Sequence, residues 1–107
     1  MEVNLFGTFF LTQAATRQMV TQQSGRVLLM SSVTGHQSHK NLAAYGMTKA
    51  GLEMLAKNLV VDLSPHGITI NCVAPGATLT ERTLEDASYI ETWSRITPTG
   101  RPATVQD

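Results

Sequence analysis

Two short apolar runs, each following a long helical pattern, constrain the fold of this chain more than any other feature. The runs are RVLLMSS, residues 26–32, and GITINCVA, residues 67–74. Each is short and continuous and is bounded by glycine, proline or polar residues, which is typical of strands covered on both faces. We therefore predict two buried strands, the first ending in two serines.

The segments before the two runs show helical spacing of their apolar residues. Residues 4–23 predict a first helix with a wide buried face, and residues 42–63 predict a second. The apolar residues of the first are Leu5, Phe6, Phe9, Phe10, Ala14 and Met19, and those of the second are Ala43, Ala50, Leu52, Leu55, Ala56, Leu59 and Leu63. Residues 33–41 predict a loop, and residues 84–96 predict a third, amphipathic helix.

The order helix, strand, helix, strand indicates the fold class. Parallel strands joined by a helical crossover form an α/β layer. Two parallel strands alone leave two open edges, and parallel sheets are normally larger and covered on both faces. The pattern therefore predicts part of a larger α/β sheet.

Composition excludes several functional classes. Lys plus Arg and Asp plus Glu both number 8 among 107 residues, so no net charge favours binding to nucleic acid or to an anionic membrane. No apolar run approaches the ~20 residues of a membrane span, and the N-terminus has no signal-peptide pattern, so we expect a cytoplasmic protein. The one cysteine, Cys72, lies in an apolar run and is expected to be a buried, inert thiol. His, Cys and acidic residues show no metal-ligand spacing, so we expect no metal site.

Tyr45 and Lys49 are the residues best suited to chemistry. They lie one helical turn apart, so the phenol and the ammonium can approach a common point. A cation ~5 Å away at an effective dielectric of ~20 stabilises a phenolate by about 3 kcal/mol, which suits proton transfer to an alcohol oxygen. Such a pair also arises by chance on a helix. Ser32, at the end of the first strand, would place a hydroxyl near the same oxygen, although a strand-ending serine often bonds only to loop backbone.

With these motifs in this order, the sequence resembles the short-chain dehydrogenase/reductase family, in particular simple single-domain members such as 3-oxoacyl-carrier-protein reductases and glucose dehydrogenases. The matching segments are VNLFGTFF, RVLLMSS, YGMTK, INCVAPGATLT and TPTGRPATVQD. The resemblance implies a partial Rossmann-like, doubly wound parallel sheet followed by a substrate-loop region. It also implies an NAD- or NADP-dependent oxidoreductase that interconverts a secondary alcohol and a ketone.

The resemblance assigns a role to each matching residue. Tyr45 would be the general acid/base, Lys49 would assist it and hold the nicotinamide ribose, and Ser32 would orient the substrate oxygen. Asn4 would hold a water molecule in a proton relay from Lys49. In the loop after the second strand, the implied cofactor-binding residues are Pro75, Gly76, Thr78 and Thr80.

The resemblance also has a gap, because the family's glycine-rich turn for the pyrophosphate has no counterpart. No two of the eight glycines are separated by a single residue. Residues 1–107 therefore read as one partial dinucleotide-binding domain without the glycine-rich half and the C-terminal end. The alternative is a truncated, catalytically silent fragment or a module that associates through its helices. The family implies a homo-oligomer formed through the two long helices.

Some residues are expected to have structural roles only. His36 and His39 are expected to be solvated loop side chains, and Tyr89 and Trp93 to pack on an apolar helix face. Gly46 and Gly51 are costly inside a helix, which predicts close backbone approach at those positions.

Overall fold

The computed structural model of the protein describes residues 2–107, with the side chains of residues 5–80 and 83–107. The chain divides into two compact units, Met1–Ala74 and Pro75–Asp107. The first contains, in chain order, a π-helical turn Glu2–Gly7, helix α1 Thr8–Gln22, strand β1 Gly25–Met30, a 3-10 turn Val33–Gly35, helix α2 Ala43–Leu63, a 3-10 turn Ser64–His66 and strand β2 Ile68–Val73. The predicted order of helix, strand, helix and strand is confirmed.

The two strands pair in parallel. The register runs from Gly25 opposite Ile68 to Met30 opposite Val73. The Ser31 N–H continues the pairing by donating to the Val73 carbonyl at 2.7 Å. Ser32 is still extended but lies outside the strand, because its side chain accepts the Thr34 N–H and begins the 3-10 turn. The strand therefore ends two residues earlier than predicted.

One face of the sheet carries the core. Helices α1 and α2 both contribute side chains to it, with Met19 and Val20 from the first and Ala56 and Leu63 from the second. The strand residues on this face are Val27, Leu29, Ile68, Ile70 and Cys72. The predicted apolar face of α2 is confirmed for Leu52, Ala56 and Leu63, which are buried at helical spacing. Its other members are partly buried, except Ala43, which is exposed.

The opposite face of the sheet is exposed. Leu28 is 70% exposed, and Met30 and Val73 beside it are also exposed. The prediction of strands covered on both faces is wrong for this chain, because the two long helices that the structure describes pack on the same side. A similar difference affects α1, whose predicted buried face includes Phe10 at 61% exposure.

The second unit is built around a short parallel bridge between Thr78 and Ala103. Helix α3, Glu81–Leu84, begins with a capping box in which Thr80 and Thr83 bond to each other's backbone N–H groups. Helix α4, Ala87–Ile96, corresponds to the predicted amphipathic segment. The Tyr89 and Trp93 rings pack with centroids 6.1 Å apart, as expected for structural aromatic residues.

Candidate active site

Tyr45 and Lys49 meet on the first turns of α2. The Lys49 Nζ lies 5.6 Å from the centroid of the Tyr45 ring. Lys49 is 8% exposed, whereas Tyr45 is 42% exposed. The ammonium therefore lies inside the fold, and the aromatic ring next to it remains accessible to a small molecule.

The Lys49 ammonium is also tied to the end of β1. It donates to the Met30 carbonyl oxygen at 2.9 Å. A buried ammonium needs hydrogen-bond acceptors for its three N–H groups, and this carbonyl accepts from one of them. The bond fixes the lysine beside the segment that carries Ser32.

Ser32 begins the turn that follows the strand. Its Oγ accepts the Thr34 N–H at 3.4 Å, and its carbonyl accepts the Gly35 N–H at 2.9 Å. In these contacts the side chain acts only as an acceptor. Its hydroxyl hydrogen has no acceptor among the described residues, so it can be donated to a bound oxygen.

A second polar cluster, not predicted from the sequence, begins at Ser31, the residue before Ser32. The buried Ser31 hydroxyl donates to Glu53 Oε1 at 2.9 Å, and His36 Nδ1 lies 3.2 Å from the same oxygen. His36 is therefore bonded to α2 and is not a purely solvated loop side chain. Glu53 lies one turn after Lys49 on the same helix, a spacing that could have indicated it.

An open cavity of about 450 Å³ lies between the loop that joins β1 to α2 and the start of that helix. Polar and apolar side chains both line it, among them Thr34, His36, His39, Leu42 and Met47. The Thr34 Oγ1 is buried and has no hydrogen-bond partner among the described residues. The cavity is large enough for a small metabolite.

Cys72 fits the prediction of an inert thiol, although it is only partly buried. Its Sγ lies 3.6 Å from the Leu52 carbonyl. Burial, and secondarily the negative charge of Glu53, raise the pKa of the Cys72 thiol. The thiol therefore stays protonated near neutral pH and is a poor nucleophile.

The remaining predicted cofactor residues belong to the second unit. Pro75 and Gly76 are exposed, and the Thr78 Oγ1 donates to the Gly76 carbonyl at 3.1 Å. The Thr78 N–H donates to the Tyr89 hydroxyl at 3.3 Å. Thr80 caps α3. The side chain of Asn4 lies outside the described residues.

The part of the chain that the structure describes offers neither a metal-ligand group nor a membrane-spanning helix. Among the side chains of residues 5–80 and 83–107, no group of three His, Cys, Asp or Glu could hold a metal ion. None of the helices described is both long enough and apolar enough to cross a membrane.

Comparison with known proteins places these residues in a family. The family model described as short chain dehydrogenase matches residues 1–89. The 3-oxoacyl-[acyl-carrier-protein] reductase FabG of Aquifex aeolicus is 41% identical over 83 residues, which are 78% of this chain and 34% of that protein. The gluconate 5-dehydrogenase of Gluconobacter oxydans is 31% identical over 110 residues, covering 100% of this chain and 43% of that protein.

Solved structures show the same relationship. A gluconate 5-dehydrogenase from Burkholderia cenocepacia, crystallised with NADP and tartrate, matches with a TM-score of 0.90 and 33% identity over 97% of this chain and 42% of that one. The chain thus spans less than half the length of the relatives it matches. The predicted Rossmann-like α/β fold is confirmed, as a partial fold. Both the matched sequence and the matched fold show that this chain belongs to the short-chain dehydrogenase family.

Proposed function

We propose that this chain carries the catalytic portion of an NAD(P)-dependent oxidoreductase that interconverts a secondary alcohol and a ketone. The main support is the geometry at Lys49, whose ammonium lies 5.6 Å from the centroid of the Tyr45 ring and bonds to the carbonyl of Met30, two residues before Ser32. We assign to this site a proton donor, Tyr45, a cation, Lys49, and a hydroxyl, Ser32, near the end of one parallel strand, where α/β sheets commonly bind ligands.

The donor groups fit a nicotinamide cofactor. The Lys49 ammonium has three N–H bonds and uses one on the Met30 carbonyl, so two are left for ribose hydroxyls. When bound, the dinucleotide supplies the hydride for reduction or accepts it in oxidation. These 107 residues contain no glycine-rich turn that could bind the pyrophosphate. The chain would therefore bind the dinucleotide through the nicotinamide half of the cofactor.

The protein's own residues move the proton. In the reducing direction the Tyr45 hydroxyl donates its proton to the substrate carbonyl oxygen as the hydride adds to the carbon. The Ser32 O–H donates a hydrogen bond to the same oxygen and stabilises its developing charge. The Lys49 ammonium stabilises the phenolate that remains, and in the oxidising direction this phenolate takes the proton back from the alcohol.

We further propose a small-molecule substrate, a cytoplasmic location and homo-oligomer formation through α1 and α2. The relatives named above suggest two substrate chemistries for assay, a 3-oxoacyl thioester and a keto derivative of a sugar acid. An apolar groove between the helices, lined by Phe6, Phe9, Phe10 and Met54 among others, supports association there.

A catalytically silent association module is not favoured, because the family model and the relatives both point to oxidoreductases.

Turnover by the purified chain tests this proposal. NADPH and NADH oxidation would be followed with both ketone types for the wild type, Tyr45→Phe, Lys49→Ala and the control Lys57→Ala, an exposed lysine two turns further along α2. We expect kcat to fall about 10²- to 10⁴-fold in Tyr45→Phe, whereas Lys57→Ala stays within about twofold. Equal rates in Tyr45→Phe and wild type would refute the assigned role.

A further inference from the structure

Ser31 fixes the end of β1 from two sides. Its N–H donates to the Val73 carbonyl of β2 at 2.7 Å, and its hydroxyl donates to Glu53 Oε1 of α2 at 2.9 Å. Ser31 is 3% exposed, so this hydroxyl cannot turn to water instead. The strand end is therefore held to both a neighbouring strand and a helix.

Glu53 extends this connection to the loop. The oxygen that accepts the Ser31 hydroxyl also lies 3.2 Å from His36 Nδ1, just after the 3-10 turn. Because a carboxylate oxygen only accepts hydrogen bonds, His36 must carry a proton on Nδ1 in this contact. We call these three residues the Ser31–Glu53–His36 bridge.

The turn packs directly on the bridge. A Cβ atom at Gly35 would lie 2.9 Å from Ser31 Oγ and 3.2 Å from Glu53 Cδ. Only glycine allows the turn to approach this closely. The contact shields the bond of the buried Ser31 hydroxyl to Glu53, whereas the His36 side chain stays about half exposed at 48%. A shielded bond to a charged group is stronger than an exposed one.

Ser32 lies between the two ends of the bridge. Ser31 precedes it in the chain, and Gly35 and His36 follow it within one turn. The same helix carries Lys49, whose Nζ bonds to Met30 and whose carbonyl lies 3.3 Å from Ser31 Oγ. A shift of the bridge would therefore move Ser32 relative to the helix that carries Tyr45 and Lys49.

We infer that Glu53 is a positioning residue for the active site. Through its bonds to Ser31 and His36, it holds the turn that follows Ser32 against α2. The same turn forms one wall of the cavity described above. This inference rests on the proposed oxidoreductase function. Glu53 would not touch the reacting atoms. A partly buried carboxylate is costly unless donors compensate it, and here its two partners lie on the two segments that flank Ser32.

Nuclear magnetic resonance of the labelled chain tests the bridge without requiring turnover. In the wild type we expect His36 Nδ1 to carry a proton. In Glu53→Ala that signal should change, and the Gly35, His36 and Gln37 amides should exchange with solvent about tenfold faster, while the β1–β2 amides are unchanged. Asp62→Ala, at an exposed carboxylate of the same helix, should leave all these signals as in the wild type.

Glu53→Gln provides a variant that keeps the size of the side chain. Its neutral amide oxygen is a weaker acceptor, so we expect exchange of the turn amides to be about threefold faster than in the wild type. If Glu53→Ala does not fold, Glu53→Gln still tests whether Glu53 holds the turn. The inference would be overturned if a folded Glu53 variant exchanged its turn amides at the wild-type rate and kept the wild-type His36 signal.

Kinetics separate positioning from general loosening of the fold. We expect Glu53→Ala to lower kcat about 10- to 100-fold with the KM for dinucleotide within about threefold, and Glu53→Gln to recover most of kcat. A rise in dinucleotide KM equal to the loss of kcat would contradict a positioning role. Absence of turnover in the wild type as well would count against the proposed function alone, because the exchange and His36 signals still decide whether the bridge exists.

Discussion

The Lys49 ammonium is buried against an aromatic ring and a backbone carbonyl, and no carboxylate bonds to it among the residues that the structure describes. Such an environment compensates an isolated buried charge only in part. A side chain that is costly to bury is expected where function requires it. This burial supports the catalytic role that we propose for Lys49.

The Cys72 thiol allows a residue-scale prediction. Since burial and the Glu53 charge raise its pKa, the reactive thiolate is scarce at neutral pH. We expect alkylation by iodoacetamide near neutral pH to be slower than for a free cysteine, because less of the thiol is ionised.

Glu53→Gln provides the matched control for Cys72. Removing the negative charge lowers the thiol pKa and so raises the thiolate fraction, which should speed alkylation while the wild-type fold is kept. Slower alkylation in Glu53→Gln would contradict the assigned electrostatic effect. Mass spectrometry of the modified chain measures both rates.

At the scale of elements, two glycines of α2 differ in what surrounds them. A Cβ at Gly46 would lie 2.8 Å from the Thr34 carbonyl oxygen, whereas one at Gly51 would lie 3.0 Å from the flexible end of the Leu5 side chain. The predicted close backbone approach is confirmed at Gly46, where helix and turn meet within one chain.

This difference predicts opposite effects of the same substitution. Gly51→Ala should gain up to about 1 kcal/mol of helix propensity, or a few degrees in Tm, because Leu5 can move aside. Gly46→Ala should lower Tm, because the turn backbone cannot move without disturbing Ser32. Thermal unfolding followed by circular dichroism gives both values, and a higher Tm for Gly46→Ala would be inconsistent with the packing described.

The start of α4 should be sensitive to acid. Bonds from the Ser88 hydroxyl, and also from the Tyr89 and Ser88 N–H groups, lower the pKa of Asp86 below its ordinary value. The carboxylate cap is therefore present above the usual aspartate range and is lost as pH falls through the lowered pKa.

Asp86→Asn should remove this pH dependence while keeping a capping oxygen, and Asp86→Ala should fray the helix at every pH. Chemical shifts of residues 87–90, followed from about pH 2 to about pH 7, show whether the Asp86 carboxylate still caps the helix. An identical pH profile in Asp86→Asn and wild type would show that another group controls the helix end.

Helical periodicity predicted much of the buried face of α2, because the buried apolar residues Leu52, Ala56 and Leu63 recur at helical spacing. It failed for the apolar face of α1, where Phe9 and Phe10 are exposed and no element that the structure describes covers them. The pair Tyr45 and Lys49 was predictable from spacing within one helix. The link from Ser31 to Glu53 was not, because it joins residues 22 positions apart through a fold-dependent contact.

At the scale of the whole molecule, the chain exposes more apolar surface than a monomer usually does. Phe6, Phe9, Phe10 and Leu11 are exposed on the first helical segment, and Leu28 and Met30 on the open sheet face. Strand edges in a two-stranded sheet add unpaired backbone groups. Such surfaces favour self-association.

We therefore expect dimers or larger species in sedimentation experiments at micromolar concentration. Phe10→Glu should weaken association about 10- to 100-fold, because burying one Phe side chain contributes about 1.5–3 kcal/mol. Val105→Glu, at an exposed apolar residue of the second unit, serves as the control. A monomeric wild-type chain would rule out association through α1 and α2 at these concentrations.

Titration of the labelled chain with NADP⁺ and NAD⁺ tests the central claim most directly, with the Tyr45→Phe, Lys49→Ala double variant beside it. The proposed nicotinamide half-site predicts chemical-shift changes at Tyr45, Lys49 and their neighbours in α2. Saturation should be near millimolar concentration, since no glycine-rich turn is available for the pyrophosphate, and the changes should disappear in the double variant. Changes that persist unaltered in the double variant, or that leave Tyr45 and Lys49 unaffected, would contradict the assignment of these two residues to the dinucleotide site.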